Sequence, residues 1–311
     1  MHTIRLIAVV LFLICTACNT QEIVETAKSN EFIYFVSRDV KTENEELNYV
    51  DLRDNTIHKC SISGGINYFD IADDSSFIAY NRFQLDGTHP ELYLFQIKSR
   101  TEKLIDTIGY IVQVSPSNKW IAYRTNNDVI ISDTSGNNKQ VLLKGGENPD
   151  KRIYYKSPVW SNDGEFIYFN LISRTTDSTI ISLKRISVKT KLVENIANNF
   201  NGRFLKIAGH TNDEVFAYEQ SNNGKRFEEN IVRFKKNQSN KWTKEVVLNG
   251  GSDVFDVSPD GKNIVFMKDS VIQDTIRYGW HLFVYDIEKK KTKQITFGAL
   301  SCDWPVWKKF N

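Results

Sequence analysis

The sequence predicts an all-β protein of six four-stranded antiparallel sheets packed radially around an axis. Three observations carry that prediction: a recurring triplet, a recurring turn, and chain ends that form complementary strands. The triplet reads Ile33-Tyr34-Phe35, Ile78-Ala79-Tyr80, Ile121-Ala122-Tyr123, Ile167-Tyr168-Phe169, Phe216-Ala217-Tyr218 and Ile264-Val265-Phe266. Subtracting the positions of the first members gives intervals of 45, 43, 46, 49 and 48 residues. Repeats of roughly 40–50 residues built on β-branched and aromatic triplets are blades of a β-propeller, each one sheet that buries its faces only against its neighbours.

Each repeat reads as strand A, a tight turn, strand B carrying the triplet, a longer loop, strand C, a short turn and strand D. In the sixth repeat Val254–Val257 is A, Asn263–Met267 is B, His281–Asp286 is C and Thr292–Thr296 is D. The turn between A and B is Ser258-Pro259-Asp260-Gly261-Lys262. Proline presets φ, aspartate bonds back to the backbone and glycine accepts positive φ. Weaker copies stand at Ala72-Asp73-Asp74, Ser115-Pro116-Ser117, Ser161-Asn162-Asp163-Gly164 and His210-Thr211-Asn212-Asp213.

The first repeat begins on a B strand, Glu31–Val36, and the chain ends on an A strand, Asp303–Trp307. Pairing the two completes a blade, closes the ring and removes open sheet edges. Cys60 falls in the outer strand of that blade and Cys302 in its innermost one. Three strand spacings, roughly 14 Å, separate such positions, whereas a disulfide needs Cα atoms within about 7 Å. Two separate thiols are expected.

The A–B and C–D turns share one face of the disc. The longer B–C connections (37–46, 81–91, 170–178, 219–229, 268–280) and the D–A connection at 145–155 share the other. Binding groups concentrate on long loops carried by a rigid scaffold. Arg82, Arg152, Tyr154, Tyr155, Arg174, Arg277, Tyr278 and Trp280 fall in these segments and are the candidate ligand-binding residues, because arginine and aromatic groups are enriched at interfaces. Asp70, Gln113 and Asp256 share one position of the A strands and are expected to line the central channel, with Val159, Ala208 and Val306 in the remaining blades. Paired carboxylates there admit either acid–base chemistry or a polar lining. Trp160 and Trp307 read as inter-blade packing, and Asp86–Glu91, rich in oxygen but without EF-hand spacing, reads as a turn. His58, His89, His210 and His281 show no repeated acidic companion at metal spacing, so neither a metal nor another cofactor is expected.

Residues 1–18 read as a targeting segment: His2 and Arg5, then the apolar run Leu6–Ile14, too short to span a bilayer. The end of that segment, Cys15-Thr16-Ala17-Cys18, resembles the lipobox of bacterial lipoproteins, which implies cleavage before Cys18 and lipid on its thiol. Residues 19–30 would then be a tether and residues 31–311 the propeller. Without Arg5 the chain carries 39 basic residues (40 minus 1) against 38 acidic ones, no electrostatic footprint for nucleic acid or an anionic membrane surface. The mature chain contains no G-x-S-x-G elbow, P-loop or Cys-x-x-Cys pair.

The pattern Ser258–Lys262, Ile264–Phe266, Leu282–Asp286 and Gln294–Thr296 resembles the TolB-like β-propeller repeat, and the likeness extends over all six repeats. TolB proteins add an N-terminal α/β domain, for which residues 19–30 leave no room. The resemblance implies a periplasmic or surface-exposed protein of a Gram-negative cell envelope, here held to the outer membrane by its N-terminal lipid alone. The expected role is a monomeric binding or scaffold module engaging an envelope protein or a glycan through the long-loop face. The alternative is a polysaccharide lyase or glycosidase acting at the channel mouth.

Overall fold

The computed structural model describes residues 30–39, 44–83, 89–148, 151–200, 202–206, 211–222, 227–271 and 278–310. Cys18, Arg277 and His210 lie outside the described residues, as do the targeting segment and all of the tether but Asn30.

Blade 1 takes β1 (Glu31–Asp39), β2 (Glu45–Asp51) and β3 (Thr56–Ser63) from the start of the chain. Blade 2 is β4 (Ile66–Ile71), β5 (Phe77–Phe83), β6 (Pro90–Gln96) and β7 (Thr101–Asp106). Blade 3 is β8 (Tyr110–Val114), β9 (Trp120–Arg124), β10 (Val129–Asp133) and β11 (Gln140–Leu143). Blade 4 adds a short strand, β12 (Gly146–Asn148), to β13 (Lys151–Trp160), β14 (Phe166–Arg174), β15 (Thr179–Ser187) and β16 (Val193–Ala197). Blade 5 is β17 (Gly202–Lys206), β18 (Glu214–Asn222), β19 (Phe227–Lys236) and β20 (Trp242–Asn249). Blade 6 is β21 (Phe255–Val257), β22 (Asn263–Val271), β23 (Tyr278–Asp286) and β24 (Lys291–Gln294).

The last strand, β25 (Leu300–Lys309), returns to blade 1, giving the order β25-β1-β2-β3. It pairs antiparallel with β1 from Glu31↔Lys309 to Asp39↔Leu300, so the ring closes as the terminal strands predict. Within that sheet Cys60 is on the outer strand and Cys302 on the inner one, and both are free thiols.

The triplets pack by one rule. Successive strand residues face opposite sides of a sheet. The first and third members therefore meet the preceding blade and the second meets the following one. Ile78 and Tyr80 pack with Val36 and Val306 of blade 1, and Ile121 and Tyr123 with Ala79 of blade 2. Ile167 and Phe169 pack with Ala122 of blade 3. Ile33 and Phe35 pack with Val265 and Met267 of blade 6, which carries the core across the closure.

Blade 5 corrects the alignment read from sequence. Val215 and Ala217 face Tyr168 of blade 4, whereas Phe216 and Tyr218 face Ile264 and Phe266 of blade 6. The equivalent triplet is therefore Val215-Phe216-Ala217, one residue earlier than the aromatic spelling suggests. A second contact agrees. Asn118 Oδ1 accepts the Asp73 amide and Asn212 Oδ1 accepts the Asp163 amide, and each asparagine stands three residues before the triplet of its own blade. Because strand periodicity is 2, a slip of one residue exchanges the two faces. Here both faces are apolar, so sequence pattern alone does not expose the slip.

The A–B turns form as their residues dictate. Gly261 and Gly164 both take φ 71°, and their amides donate to Ser258 O at 2.8 Å and Ser161 O at 3.0 Å. Ser258 Oγ donates to Asp260 Oδ1 at 2.7 Å, and Ser161 Oγ to Asp163 Oδ1 at 2.6 Å. The opposite face differs from the loops expected there. Strands β14 and β15 run to Arg174 and from Thr179, paired throughout, and β22 and β23 pair as far as Val271↔Tyr278. In blade 4 the expected D–A loop is the hairpin β12–β13. Continued β-branched and aromatic residues beyond the triplets (Leu171-Ile172, Tyr154-Tyr155) extend the ladders. Long hairpins, rather than loops, stand on this face.

Candidate functional site

The residues paired with the second triplet member form a ring around the axis: Asp70, Gln113, Val159, Lys206, Asp256 and Val306. Lys206 occupies the place assigned by sequence to Ala208, which lies outside the described residues: the triplet slip accounts for one position, and an A–B connection one residue longer than that of blade 2 accounts for the other (216 minus 206 against 79 minus 70). Two carboxylates of this ring act as latches in the same way. Asp256 accepts the Val257 amide and, from the next blade, the Trp307 amide, both at 2.8 Å. Asp70 accepts the Ile71 amide and, from the next blade, the Val114 amide, again at 2.8 Å.

Each latch is capped by a lysine from the blade before it. Lys206 Nζ lies 3.6 Å from Asp256, and Lys308 Nζ lies 3.1 Å from Asp70 and 3.0 Å from Asp73. Blades 5, 6 and 1 are thereby tied in series, and so are blades 1, 2 and 3. Burial raises the Asp256 pKa against the opposing pull of Lys206 and the two amides. Burial works against the charge of Lys308, but Asp70 and Asp73 outweigh it and hold its pKa above the usual lysine value. These groups line a cavity of about 280 Å³ at the turn-face end of the channel, with Gln113, Trp160 and Trp307. Trp160 and Trp307 also belong to inter-blade clusters.

The hairpin-face mouth is narrower, about 50 Å³, and lined by Tyr68, Ile111, Ser157, Asp253 and Trp304 among others. Ile111, Ser157 and Trp304 stand at one equivalent position and take φ 46°, 52° and 50°. Each sits where its inner strand slips register against the B strand. Left-handed backbone is rare for an isoleucine or tryptophan, and such bulges re-aim side chains at barrel and propeller rims. Trp304 ends with its ring 4.1 Å from that of Tyr68 on the next blade.

Beside this mouth, Arg124 at the end of β9 lies over the Tyr110 ring at 4.6 Å, and Tyr110 Oη meets His89 Nδ1 at 2.9 Å. Burial lowers the Arg124 pKa, while the nearby phenols of Tyr110, Tyr68 and Tyr154 act the other way. Its Nε is buried without a hydrogen-bond partner. Across the mouth, Asp253 and Asp303 occupy equivalent positions of blades 6 and 1. Burial lifts the Asp303 carboxyl to about 6, with Asp253 and Glu45 adding to the rise.

The structure separates the sequence-derived binding candidates. Arg82 is committed to its own blade: over Tyr80 and Tyr93 at 5.1 and 5.3 Å, 3.1 Å from Glu102, and donating to Gly64 O. Tyr155 packs edge-on against Phe169 at 5.5 Å, between blades 3 and 4. Tyr154, on the opposite face of β13, has its phenol near enough to act on the charge of Arg124, and Lys156 Nζ lies 5.9 Å from its ring centre. Arg152 and Arg174 are exposed and paired across β13 and β14. Trp280 is 43% exposed on β23, the strand that also carries the backbone of Tyr278. His281 is buried, and burial lowers its pKa. Among the described residues no three His, Cys, Asp or Glu converge as metal ligands. Arg124, Lys206 and Lys308 are the groups that sequence reasoning passed over. The asparagine alignment of the A–B turns could have exposed the triplet slip in blade 5, but not Lys206, which stands one residue further from its asparagine than Gln113 does.

Radial four-stranded sheets, a ring closed by the last strand and a channel with two unlike mouths define a six-bladed β-propeller. No known protein family and no curated protein matches the chain. Solved structures do. TolB from Acinetobacter baumannii superposes with a TM-score of 0.66 at 15% identity, over 90% of this chain and 67% of that one. A putative TolB from Agrobacterium tumefaciens gives 0.56 at 12% identity, over 92% of this chain and 100% of that one. The β-propeller domain of the Trilobed protease from Pyrococcus furiosus, described as having an open velcro topology, gives 0.50 at 13%, over 87% and 95%. The chain thus has a TolB-like six-bladed propeller fold; unlike that last domain, its ring is latched by a terminal strand.

Proposed function

We propose that this protein is a non-catalytic binding module of the Gram-negative cell envelope. Lipid on Cys18 holds it at the outer membrane, and its hairpin face engages a protein partner or a glycan. One observation carries the reading: Tyr68 and Trp304 line the mouth on that face, and Arg124 lies beside them, within the electrostatic reach of the Tyr68 and Tyr154 phenols; these are large aromatic and cationic groups of the kind that anchor interfaces. Trp280 stands exposed on a blade 6 strand of the same hairpin layer. The tether joins the propeller at Glu31, which faces Lys309 at the turn-face end of β1. Lipid attached through that segment presents the hairpin face away from the membrane. The carboxylates that a lyase or glycosidase would need in the channel, Asp70 and Asp256, are occupied by inter-blade amides and lysines.

Photo-crosslinking in cells tests this. A crosslinker at Trp280 or Tyr154 is expected to trap one discrete partner, while one at Lys119 or Lys289, in the short turns, traps none. Crosslinks confined to the turn face, or none from either face, would refute the reading.

A further inference from the structure

Arg124 differs from every comparable arginine among the described residues. Arg53, Arg82, Arg185 and Arg233 also lie over aromatic rings, and each of them meets a carboxylate. Arg53 pairs with Asp51, Arg82 with Glu102, Arg185 with Glu194 and Asp213, and Arg233 with Glu214 and Glu245. Arg124 is half-buried over Tyr110 and has no carboxylate partner among the described residues. A guanidinium partly removed from water without a counter-charge is costly, and the ring beneath it offsets only part of that cost. The fold neutralises its other stacked arginines and leaves this one open beside the channel mouth.

We propose that Arg124, with Tyr68, Tyr110 and Tyr154, forms a carboxylate-binding subsite that takes an acidic side chain from an extended segment of a protein partner. The inference rests on the binding-module reading and names the chemistry of that site. The planar guanidinium presents paired donors that match a carboxylate. Around it, the phenol hydroxyls can donate to an incoming carboxylate. Of these groups Tyr68 lines the channel mouth, whose volume of about 50 Å³ suits a side-chain carboxylate better than a sugar ring. Asp253 and Asp303 on the far rim repel the same anion and so hold it on the Arg124 side.

The test uses two blocked amino acids as probes, N-acetyl-glutamate amide and N-acetyl-glutamine amide, with galacturonate as the sugar control. Binding to the full-length protein is followed by amide chemical shifts at constant ionic strength. The glutamate probe is expected to bind at least tenfold more tightly than the glutamine probe and to shift the Tyr110 and Arg124 amides. Arg124→Gln should abolish that preference and Arg124→Lys should keep part of it, a rescue that a merely structural arginine would not show. Equal affinity for the two probes, a preference that survives Arg124→Gln, or no binding at millimolar concentration would overturn the subsite. Galacturonate binding more tightly than blocked glutamate would overturn the peptide assignment in favour of an acidic glycan. None of these outcomes alters the crosslinking result, so failure of the subsite and failure of the binding-module reading are distinguishable.

Discussion

Replacing Asp303 with asparagine isolates the cost of the acidic rim. Burial, with Asp253 and Glu45 close by, lifts the Asp303 carboxyl from 3.8 to about 6. A carboxyl that holds its proton more tightly when folded penalises folding once it ionises. The penalty is absent below about pH 4, grows as pH rises through about 6, and is complete above that. A rise of roughly two pH units corresponds to at most ~3 kcal/mol, and solvent at the partly open mouth reduces this toward ~1 kcal/mol. Asparagine retains the oxygen that accepts the Trp304 amide at 2.8 Å, so the local turn survives the exchange. Asp303→Asn should therefore stabilise the protein by ~1–3 kcal/mol near pH 7.5 and leave it almost unchanged near pH 4. Urea unfolding followed by tryptophan fluorescence at both pH values measures the difference. Equal stabilisation at the two pH values, or destabilisation near neutrality, would refute the reasoning.

Other consequences are as direct. Removing residues 302–311 takes away most of β25 and leaves β1 without its inner neighbour, so cooperative melting should be lost or shifted far down; calorimetry reads this. Lys308→Met strands the buried carboxylate of Asp70 and should cost about 3 kcal/mol, much of it recovered in the double variant with Asp70→Asn, as a double-mutant cycle would report. Burial pushes the thiols of Cys60 and Cys302 up to about 12. Both should resist a thiol reagent at pH 8 until denaturant is added, and neither should oxidise to a disulfide in the folded protein.

The architecture was legible because each local signal repeats. The triplets, the serine-anchored turns and the complementary terminal strands report short-range preferences, and every copy reinforces the next. The face assignment of blade 5 was not legible: Phe216-Ala217-Tyr218 and Val215-Phe216-Ala217 are both apolar at every position, so only contact with Tyr168 on one side and Ile264 on the other distinguishes them. That shift, together with one extra residue in the A–B connection of blade 5, hid Lys206. The loops expected on the binding face became hairpins because strand propensity continues past the triplets, and the candidates in them divided by strand parity. Tyr154 acts on Arg124 while Tyr155 enters the core.

By itself the sequence determined the number of blades, their strand order and the closing strand, since these follow from periodicity and turn chemistry carried within each repeat. Only the tertiary structure decided which charges meet. Lys308 finds Asp70 across 238 positions of chain (308 minus 70), and Arg124 finds no carboxylate among the described residues. Such pairings depend on the register between neighbouring blades, and no pattern internal to a single repeat encodes it.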